Sequence, residues 1–167
     1  MFIHEPVDLG YTDLTAYTSE TGRVYQTPTG ISYPSITTVL SVLSRDQIAK
    51  WRARVGEEEA NRVSRIASSR GTSIHDMLEA YVGNEEGFLD GKMPHLVQTF
   101  QQVKPVLDEH IGKVYAQECA LYSDYLGVAG RCDLVAEWDG EIAIIDYKTA
   151  KKEKKKAPPA MNNERAE

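Results

Sequence analysis

An Asp-Gly pair at positions 139–140 lies between two apolar runs, and it constrains the fold more than any other feature of this chain. Asp-Gly between alternating apolar residues is a strong signal for a two-residue β-hairpin loop. If the pair forms that loop, counting back along both strands places Asp133 directly opposite Asp146. Directly opposed side chains have Cβ atoms about 4.5–5.5 Å apart, so the sequence predicts two carboxylates face to face.

The predicted pair of carboxylates needs a compensating charge, because two such groups at close range repel each other. Lys148 follows Asp146 by two residues, so the pleat of the strand places its ammonium on the same face. Two carboxylates that can hold a hard cation next to an ammonium suit the hydrolysis of a phosphodiester bond. The alternative, in which both aspartates are strand-end charges bonded to Arg131 or Lys148, is disfavoured because Asp is depleted in strands.

Composition limits the chain to one ordinary globular domain. Its 167 residues suffice for a hydrophobic core, with 41% hydrophobic and 26% charged residues. A formal net charge of -6 argues against a protein that coats DNA through bulk positive charge. It does not argue against a nuclease, since part of the acidity would be metal ligands and a bound divalent ion reverses the local sign.

The cysteines and the hydropathy pattern exclude further classes. Cys119 and Cys132 lack metal-ligand spacing and no four-cysteine set exists, so we expect free thiols and no iron–sulfur cluster. No apolar run approaches the length of a membrane span, and residues 1–13 lack the character of a signal or transit peptide. We therefore expect a cytoplasmic protein without a membrane partner.

Apolar periodicity and turn residues predict helices followed by strands. Residues 1–34 are expected to be irregular or β, and residues 153–167 to be a disordered, charged tail. A helix should open at Pro34 with Ser35 as its cap, and its apolar stripe would be Ile36, Val39, Leu40 and Leu43. The other expected elements are helices over 45–55 (continuing in some form through 65), 71–82 and 95–111, then strands over 114–122, 128–138 and 141–148.

Two pairs of residues refine the predicted helix that begins at Gly71. Ser73 and Asp76 resemble a capping box, which supports a helix start at that point. His75 and Glu79 are four residues apart, so they share a helix face that is distinct from the apolar stripe. A His/Glu pair with this spacing is by itself only a weak signal for a ligand site.

The stretch between positions 45 and 70 is the most basic part of the domain, and it has two interpretations. It contains seven Lys and Arg residues against four Asp and Glu residues. It is either a solvated helical face or a surface that contacts the DNA backbone. The lysine run at 151–156 has the same two interpretations, a phosphate-binding segment or a solubilising tail.

The motifs, taken in order, resemble one known family. They are Pro34-Ser35-Ile36-Thr37-Thr38-Val39-Leu40, Gly71-Thr72-x-x-His75-x-x-x-Glu79, Glu118, Gly130-x-x-Asp133 and Asp146-Tyr147-Lys148-Thr149. Over about residues 23–152 they resemble the RecB-like exonuclease branch of the PD-(D/E)XK nuclease superfamily, which includes phage and mitochondrial enzymes. The resemblance implies an α+β (or α/β) fold with a restriction-endonuclease-like core. One nuclease domain (1–152) would combine N-terminal helices (35–111) with a three-stranded antiparallel meander (112–150).

By this resemblance, functional roles fall on the matching positions. Asp133, Asp146 and the backbone carbonyl of Tyr147 would bind Mg²⁺ or Mn²⁺, and His75 would complete the metal shell. Lys148 would orient or help deprotonate the attacking water and offset charge in the transition state. Glu118 would assist a second ion or a bound water. The expected nucleic-acid contacts are Ser35, Thr37, Arg65, Arg70, Lys151 and Lys152.

The chain departs from the family pattern after the Asp-x-Lys motif. Relatives carry a further core helix with a Gln-x-x-x-Tyr motif and then a strand, but here no Gln follows Gln117 and no Tyr follows Tyr147. Three explanations compete: a truncated product, a partner or second copy that completes the sheet, or a shift of reading frame in the lysine run. Truncation is favoured, so the C-terminal core helix and strand are expected to be missing and one sheet face to be uncovered.

Three functions are compatible with these observations. The first is a metal-dependent DNA exonuclease of phage or host replication, recombination or repair, acting on single-stranded DNA or DNA ends. The second is a structure-specific endonuclease on the same core, which product length would distinguish. The third is a truncated, non-catalytic module that binds DNA. For the chain as given, weak activity or none is expected.

Overall fold

The computed structural model describes residues 1–150. The predicted disordered tail, together with Lys151 and Lys152, lies outside the described residues. The elements in chain order are β1 (Ile3–His4), β2 (Thr15–Ser19), β3 (Gly22–Gln26), β4 (Ser32–Pro34), α1 (Ile36–Val55), α2 (Glu57–Val82), α3 (Pro94–His110), β5 (Ile111–Ser123), β6 (Val128–Trp138) and β7 (Glu141–Ile145). The fold is therefore mixed α and β, with helices preceding a meander of strands, as predicted.

Capping residues define the first two helices. Ser35 caps α1 by accepting a hydrogen bond from the backbone N–H of Thr38 over 3.0 Å, as predicted. Gly56, with a φ of 86°, ends α1 and separates it from α2. The predicted division of residues 36–55 into two helices is wrong, because α1 runs through this stretch without interruption.

The second helix is longer than predicted, because it does not start at Gly71 but passes through it. Residues of its C-terminal half are fixed in the core: Ile74, Met77, Leu78 and Val82. Burial of this face outweighs the cost of one internal glycine, about 1 kcal/mol. The predicted capping box at Ser73 is therefore wrong, since Ser73 lies in the middle of α2. No helix within residues 1–150 combines the length and the apolar character needed to cross a bilayer.

The main core lies between α2, α3 and one face of the sheet. Its buried members are Ile74, Met77, Leu78, Val82, Leu96, Phe100, Leu107, Ile111, Val114, Leu134, Ala136 and Tyr147. Leu96, Phe100 and Leu107 of α3 are buried in this core and Val103 packs against it, whereas Val106 is 44% exposed. Pro105 lies inside α3 without ending it.

The meander β5–β6–β7 is antiparallel, as predicted, and β1 adds a parallel strand beside β5 to give the order β1-β5-β6-β7. The predicted hairpin register is confirmed, because Trp138 pairs with Glu141. Asp139 and Gly140 have φ values of 54° and 86°, the positive values that a type I′ loop requires. The turn chemistry therefore fixes the register of the two strands that carry the predicted site.

One face of the sheet and most of α1 are uncovered by residues 1–150. Ile142 and Ile144 of β7 are 74% and 67% exposed. The apolar stripe predicted for α1 is not buried, because α1 has no buried residue, although Ile36 lies close to Gly130 of β6. The small sheet β2-β3-β4 has its own cluster around Leu14 and Tyr25. A partner or second copy that covers the open face stays a prediction.

Candidate active site

The ladder between β6 and β7 stops where the predicted carboxylates begin. Its last pair joins Leu134 and Ile145, so Asp133 and Asp146 occupy the next position in register. β7 ends there, three residues before its predicted end at 148, and the backbone N–H of Tyr147 donates to Asp133 Oδ2 over 2.6 Å. A side-chain carboxylate thus replaces the main-chain acceptor that a continued ladder would supply. The strands part at this point, and the carboxylate fills the gap.

Asp146 and Lys148 share the open side of the segment after β7, as the pleat predicted. The Lys148 ammonium lies 2.5 Å from the Asp146 carboxylate, and the two side chains are 66% and 51% exposed. Tyr147 lies between them in sequence and is buried in the core. The buried ring therefore anchors the segment, while the charged groups on either side point towards solvent.

His75 approaches this site from α2. Its Nδ1 lies 3.5 Å from Asp133 Oδ1, and its ring meets the Tyr147 ring edge-on with 5.7 Å between centroids. The neighbouring Ile74 is 2% exposed and fixes this turn of α2 against the sheet. α2, β6 and the segment after β7 therefore meet at the His75 imidazole and the Asp133 carboxylate.

Glu118 lies on β5 at the position opposite Asp133 of β6. The β5–β6 residue pairs on either side of this position join Gln117 to Leu134 and Cys119 to Cys132. Its backbone has a φ of 46°, a left-handed value that non-glycine residues seldom adopt and that often marks functional sites. Arg131 donates a hydrogen bond to the Glu118 carbonyl and supports this conformation. The same guanidinium donates to both carboxylate oxygens of Asp13, at 2.8 and 2.6 Å.

Glu79 joins the cluster, and sequence reasoning did not include it among the site residues. Partial burial and the charges of Glu79 and Asp133 together raise the pKa of the Glu118 carboxyl above its ordinary value. The sequence signals for Glu79 were its spacing of four residues from His75 and its place in the motif Gly71-Thr72-x-x-His75-x-x-x-Glu79. Arg131 was also missed as a support for Glu118, since its role depends on a long-range contact with Asp13.

The expected nucleic-acid contacts are only partly available on the surface. Ser35 is 2% exposed and its hydroxyl is committed to the cap of α1, so the prediction that it contacts DNA is corrected to a structural role. Thr37 is exposed, but its hydroxyl lies 2.8 Å from Ser35 Oγ. Arg65 is exposed on α2, and Arg70 is half-buried.

Arg70 lines a cleft of about 400 Å³ beside the segment after β7. Asp146, Lys148 and Thr149 line the same cleft, which α2 and α3 bound on the other side. Arg70 Nε is buried without a hydrogen-bond partner among the described residues. A guanidinium and an ammonium in one cleft form a cationic surface suited to phosphate oxygens.

The donor groups at this site fit a hard divalent cation, although they do not form a ready-made cluster. No three His, Cys, Asp or Glu side chains within the described range 1–150 converge as metal ligands. Burial raises the pKa of the Glu118 carboxyl, and the nearby negative charges of Glu79 and Asp133 raise it further. Oxygen ligands of this kind are those that Mg²⁺ and Mn²⁺ prefer. Asp146 is held by the Lys148 ammonium, so it would join them by exchanging that contact.

Comparison with known proteins agrees with this geometry. The sequence pattern that describes the PD-(D/E)XK nuclease superfamily matches residues 47–164. Two proteins named mitochondrial genome maintenance exonuclease 1, from Mus musculus and Homo sapiens, are each 28% identical to this chain over 131 residues. The alignments cover 74% and 72% of this chain, respectively. They cover 38% of each relative, so the chain spans well under half the length of these curated relatives.

Proposed function

This chain belongs to the PD-(D/E)XK nuclease superfamily, and we propose that it acts as a metal-dependent exonuclease on single-stranded DNA or DNA ends. The observation that carries the proposal is the junction at the end of β7. There the Asp133 carboxylate accepts a hydrogen bond from the backbone N–H of Tyr147 and lies close to His75. The Lys148 ammonium contacts the Asp146 carboxylate on the side that faces solvent. The family supports nuclease chemistry, and the exonuclease assignment comes from what the two relatives are named.

The proposed metal-binding residues are Asp133, Asp146, His75 and the backbone carbonyl of Tyr147, with Glu118 as a further acidic ligand or water contact. A bound Mg²⁺ or Mn²⁺ supplies Lewis acidity, which polarises the scissile phosphate and lowers the pKa of a bound water. Glu79 adds negative charge beside these groups and strengthens the attraction of the cluster for a cation.

Lys148 provides positive charge on the side of the cluster that faces solvent. Its side chain is 66% exposed, so its ammonium can leave Asp146 and donate to a phosphate oxygen. There it would hold the attacking water or offset the charge that develops on the phosphoryl oxygens. Arg70 lies in the same cleft and would bind a phosphate of the nucleic-acid backbone, where its orphaned Nε gains a partner.

The test is cleavage of end-labelled single-stranded and duplex DNA with Mg²⁺, with Mn²⁺ and with a chelator. We expect a weak, metal-dependent release of short products, and a loss of about 100-fold in Lys148→Ala. Lys113→Ala is the matched control, because Lys113 also pairs with an exposed carboxylate, that of Glu5, but lies away from the site. Normal cleavage by the Lys148 variant would overturn the proposed roles.

Substrate topology distinguishes the proposed exonuclease from the alternatives. An exonuclease needs an end, so it should spare closed circular single-stranded DNA and degrade the same sequence once it is linear. Cleavage of closed circles would favour an endonuclease on the same core. Retained DNA binding without cleavage in any metal would favour a non-catalytic module, with affinity that falls steeply as salt rises.

A further inference from the structure

Cys119 and Cys132 face each other across β5 and β6, immediately beside the candidate site. The two residues are directly opposed in register, and their sulfur atoms lie 3.3 Å apart. Both are free thiols. Glu118 precedes one cysteine and Asp133 follows the other, so a change in the separation of the sulfurs acts on the strands at these carboxylates.

Both sulfur-bearing side chains are reachable from solvent. Each cysteine is only partly buried. Cys119 lines a cleft of about 320 Å³ beneath the N-terminal segment, where Leu9 and Tyr11 form part of the wall. Cys132 lines a groove of about 460 Å³ on the uncovered side of the sheet, next to Ile144. A small disulfide can therefore approach either thiol without unfolding of the sheet.

We propose that Cys119 and Cys132 are a reversible oxidation site, whose disulfide ties β5 to β6 and weakens cation binding by the adjacent carboxylates. The oxidant is a low-molecular-weight disulfide of the glutathione class. The Cys119 thiolate attacks one sulfur of the oxidant, which forms a mixed disulfide and expels one thiolate. The Cys132 thiol then loses its proton to solvent, attacks the Cys119 sulfur and expels the second thiolate. Two protein thiols are oxidised, and the oxidant is reduced to two thiols.

The effect on the carboxylates follows from the geometry of closure. A disulfide brings its sulfurs to about 2.05 Å and its Cβ atoms to about 3.5–4.5 Å, closer than the usual spacing across an antiparallel pair. The sulfurs lie 3.3 Å apart before closure, so forming the bond draws the two side chains, and with them the strands, closer at this pair. Glu118, whose left-handed backbone depends on the hydrogen bond from Arg131, adjoins the pair and shifts with it.

Peptide mapping tests the bond directly. Trypsin cleaves after Lys113, Arg131 and Lys148, which leaves Cys119 in peptide 114–131 and Cys132 in peptide 132–148. After treatment of the full chain with oxidised glutathione, we expect the intact protein to lose two hydrogen atoms and these peptides to be joined until a reductant is added. Cys119→Ser should give no joined peptide. Unmodified thiols, or glutathione adducts alone, would overturn the proposal.

The coupling to the site is tested by Mn²⁺ titration of the thermal midpoint, which requires no cleavage. We expect oxidised protein to need several-fold more Mn²⁺ than reduced protein for the same stabilisation, and Cys119→Ser to be indifferent to oxidant. Equal titrations would overturn the coupling even if the bond forms. If the reduced protein shows no Mn²⁺ response, the proposed function and the coupling both fail, while the peptide map still decides whether the bond forms.

Discussion

The backbone N–H of Tyr147 donates a 2.6 Å hydrogen bond to Asp133 Oδ2 at the point where β6 and β7 separate. One carboxylate therefore has two tasks, since it closes the end of a sheet and presents its other oxygen to His75. The two tasks can be separated by substitution. Removing the acceptor oxygen should lower the stability of the fold. Removing only the negative charge should lower the affinity for a cation.

Asp133→Ala should destabilise the protein by about 1–3 kcal/mol, because it leaves the Tyr147 N–H without a partner in a partly buried position. Asp133→Asn keeps an acceptor oxygen and should cost less. Both variants should lose the Mn²⁺-dependent rise in thermal midpoint. Urea unfolding in chelator and thermal scans in Mn²⁺ measure the two effects. Equal stability of the Asn and Ala variants would contradict the structural role of this hydrogen bond.

Glu118→Gln should stabilise the metal-free protein at neutral pH. The pKa of this carboxyl is raised in the folded protein by burial and by the charges of Glu79 and Asp133, so its ionisation opposes folding. The advantage of the variant should therefore be absent at low pH, grow as pH rises through the unfolded pKa of about 4.3, and level off above the folded value.

Thermal midpoints measured between pH 3 and pH 8 in chelator test whether Glu118→Gln stabilises the protein in this way. Glu85→Gln is the control, because Glu85 is exposed. Saturating Mg²⁺ should reverse the order, because the native carboxylate then gains a counter-charge. If the thermal midpoint of Glu118→Gln changed like that of the control at every pH, the neighbouring carboxylates would not repel the ionised Glu118.

Because of His110, the free energy of unfolding should fall as the pH rises through and above the ordinary histidine pKa. Its Nδ1 lies 2.7 Å from Asp139 Oδ1, and this contact raises the pKa of the imidazole above 6.5. A raised histidine pKa stabilises the fold fully below the unfolded value, and the stabilisation is lost as pH passes through the folded value.

Asp139→Asn should remove this dependence and lower the pKa of His110, because Asn lacks the charge yet tolerates the φ of 54° at the hairpin loop. Titration of the His110 ring proton signals by NMR in both proteins checks the prediction. An unchanged pKa in the variant would mean that Asp139 does not hold the imidazolium in solution.

Two glycine substitutions should have opposite signs. Gly140→Ala should destabilise the hairpin by about 1–2 kcal/mol, because its φ is 86° although no atom lies within 4 Å of the new Cβ. Gly71→Ala should stabilise α2 by up to about 1 kcal/mol, since the new methyl would meet only Thr149 Oγ1 at 3.7 Å. Chemical denaturation measures both changes. Destabilisation by Gly71→Ala would indicate a helix boundary near that position.

The hairpin and its charged end could be predicted because their information is local. An Asp-Gly loop fixes the register within a few residues, and alternation then places Asp146 and Lys148 on one side. The approach of Glu79 to Glu118 could not be predicted in this way, because it depends on how α2 packs against β5, which begins almost 30 residues after α2 ends. The left-handed Glu118 backbone had no sequence signal, since it is supported by the contact between Arg131 and the distant Asp13.

The helical errors share one physical cause, which is that periodicity and caps describe a helix in isolation. Gly71 and the Ser73 motif look like a start signal, but burial of the following turns carries α2 through them. The apolar stripe of α1 predicts a buried face, yet no residue of α1 is buried within the described part of the chain. Tertiary context decides both cases, and a single sequence window does not contain it.

Charged and buried residues alternate around Tyr147, so the positions of the charged groups depend on how the core is packed. Tyr147 and Leu134 each adjoin an aspartate of the site and are themselves core side chains. A substitution deep between α2 and α3 that enlarges or shrinks this core would tilt the ring of Tyr147 and move its charged neighbours. Catalytic turnover would then decline in variants whose substituted side chain lies far from any bound phosphate. Such variants would be mistaken for variants of catalytic residues unless the compactness of the protein were measured as well.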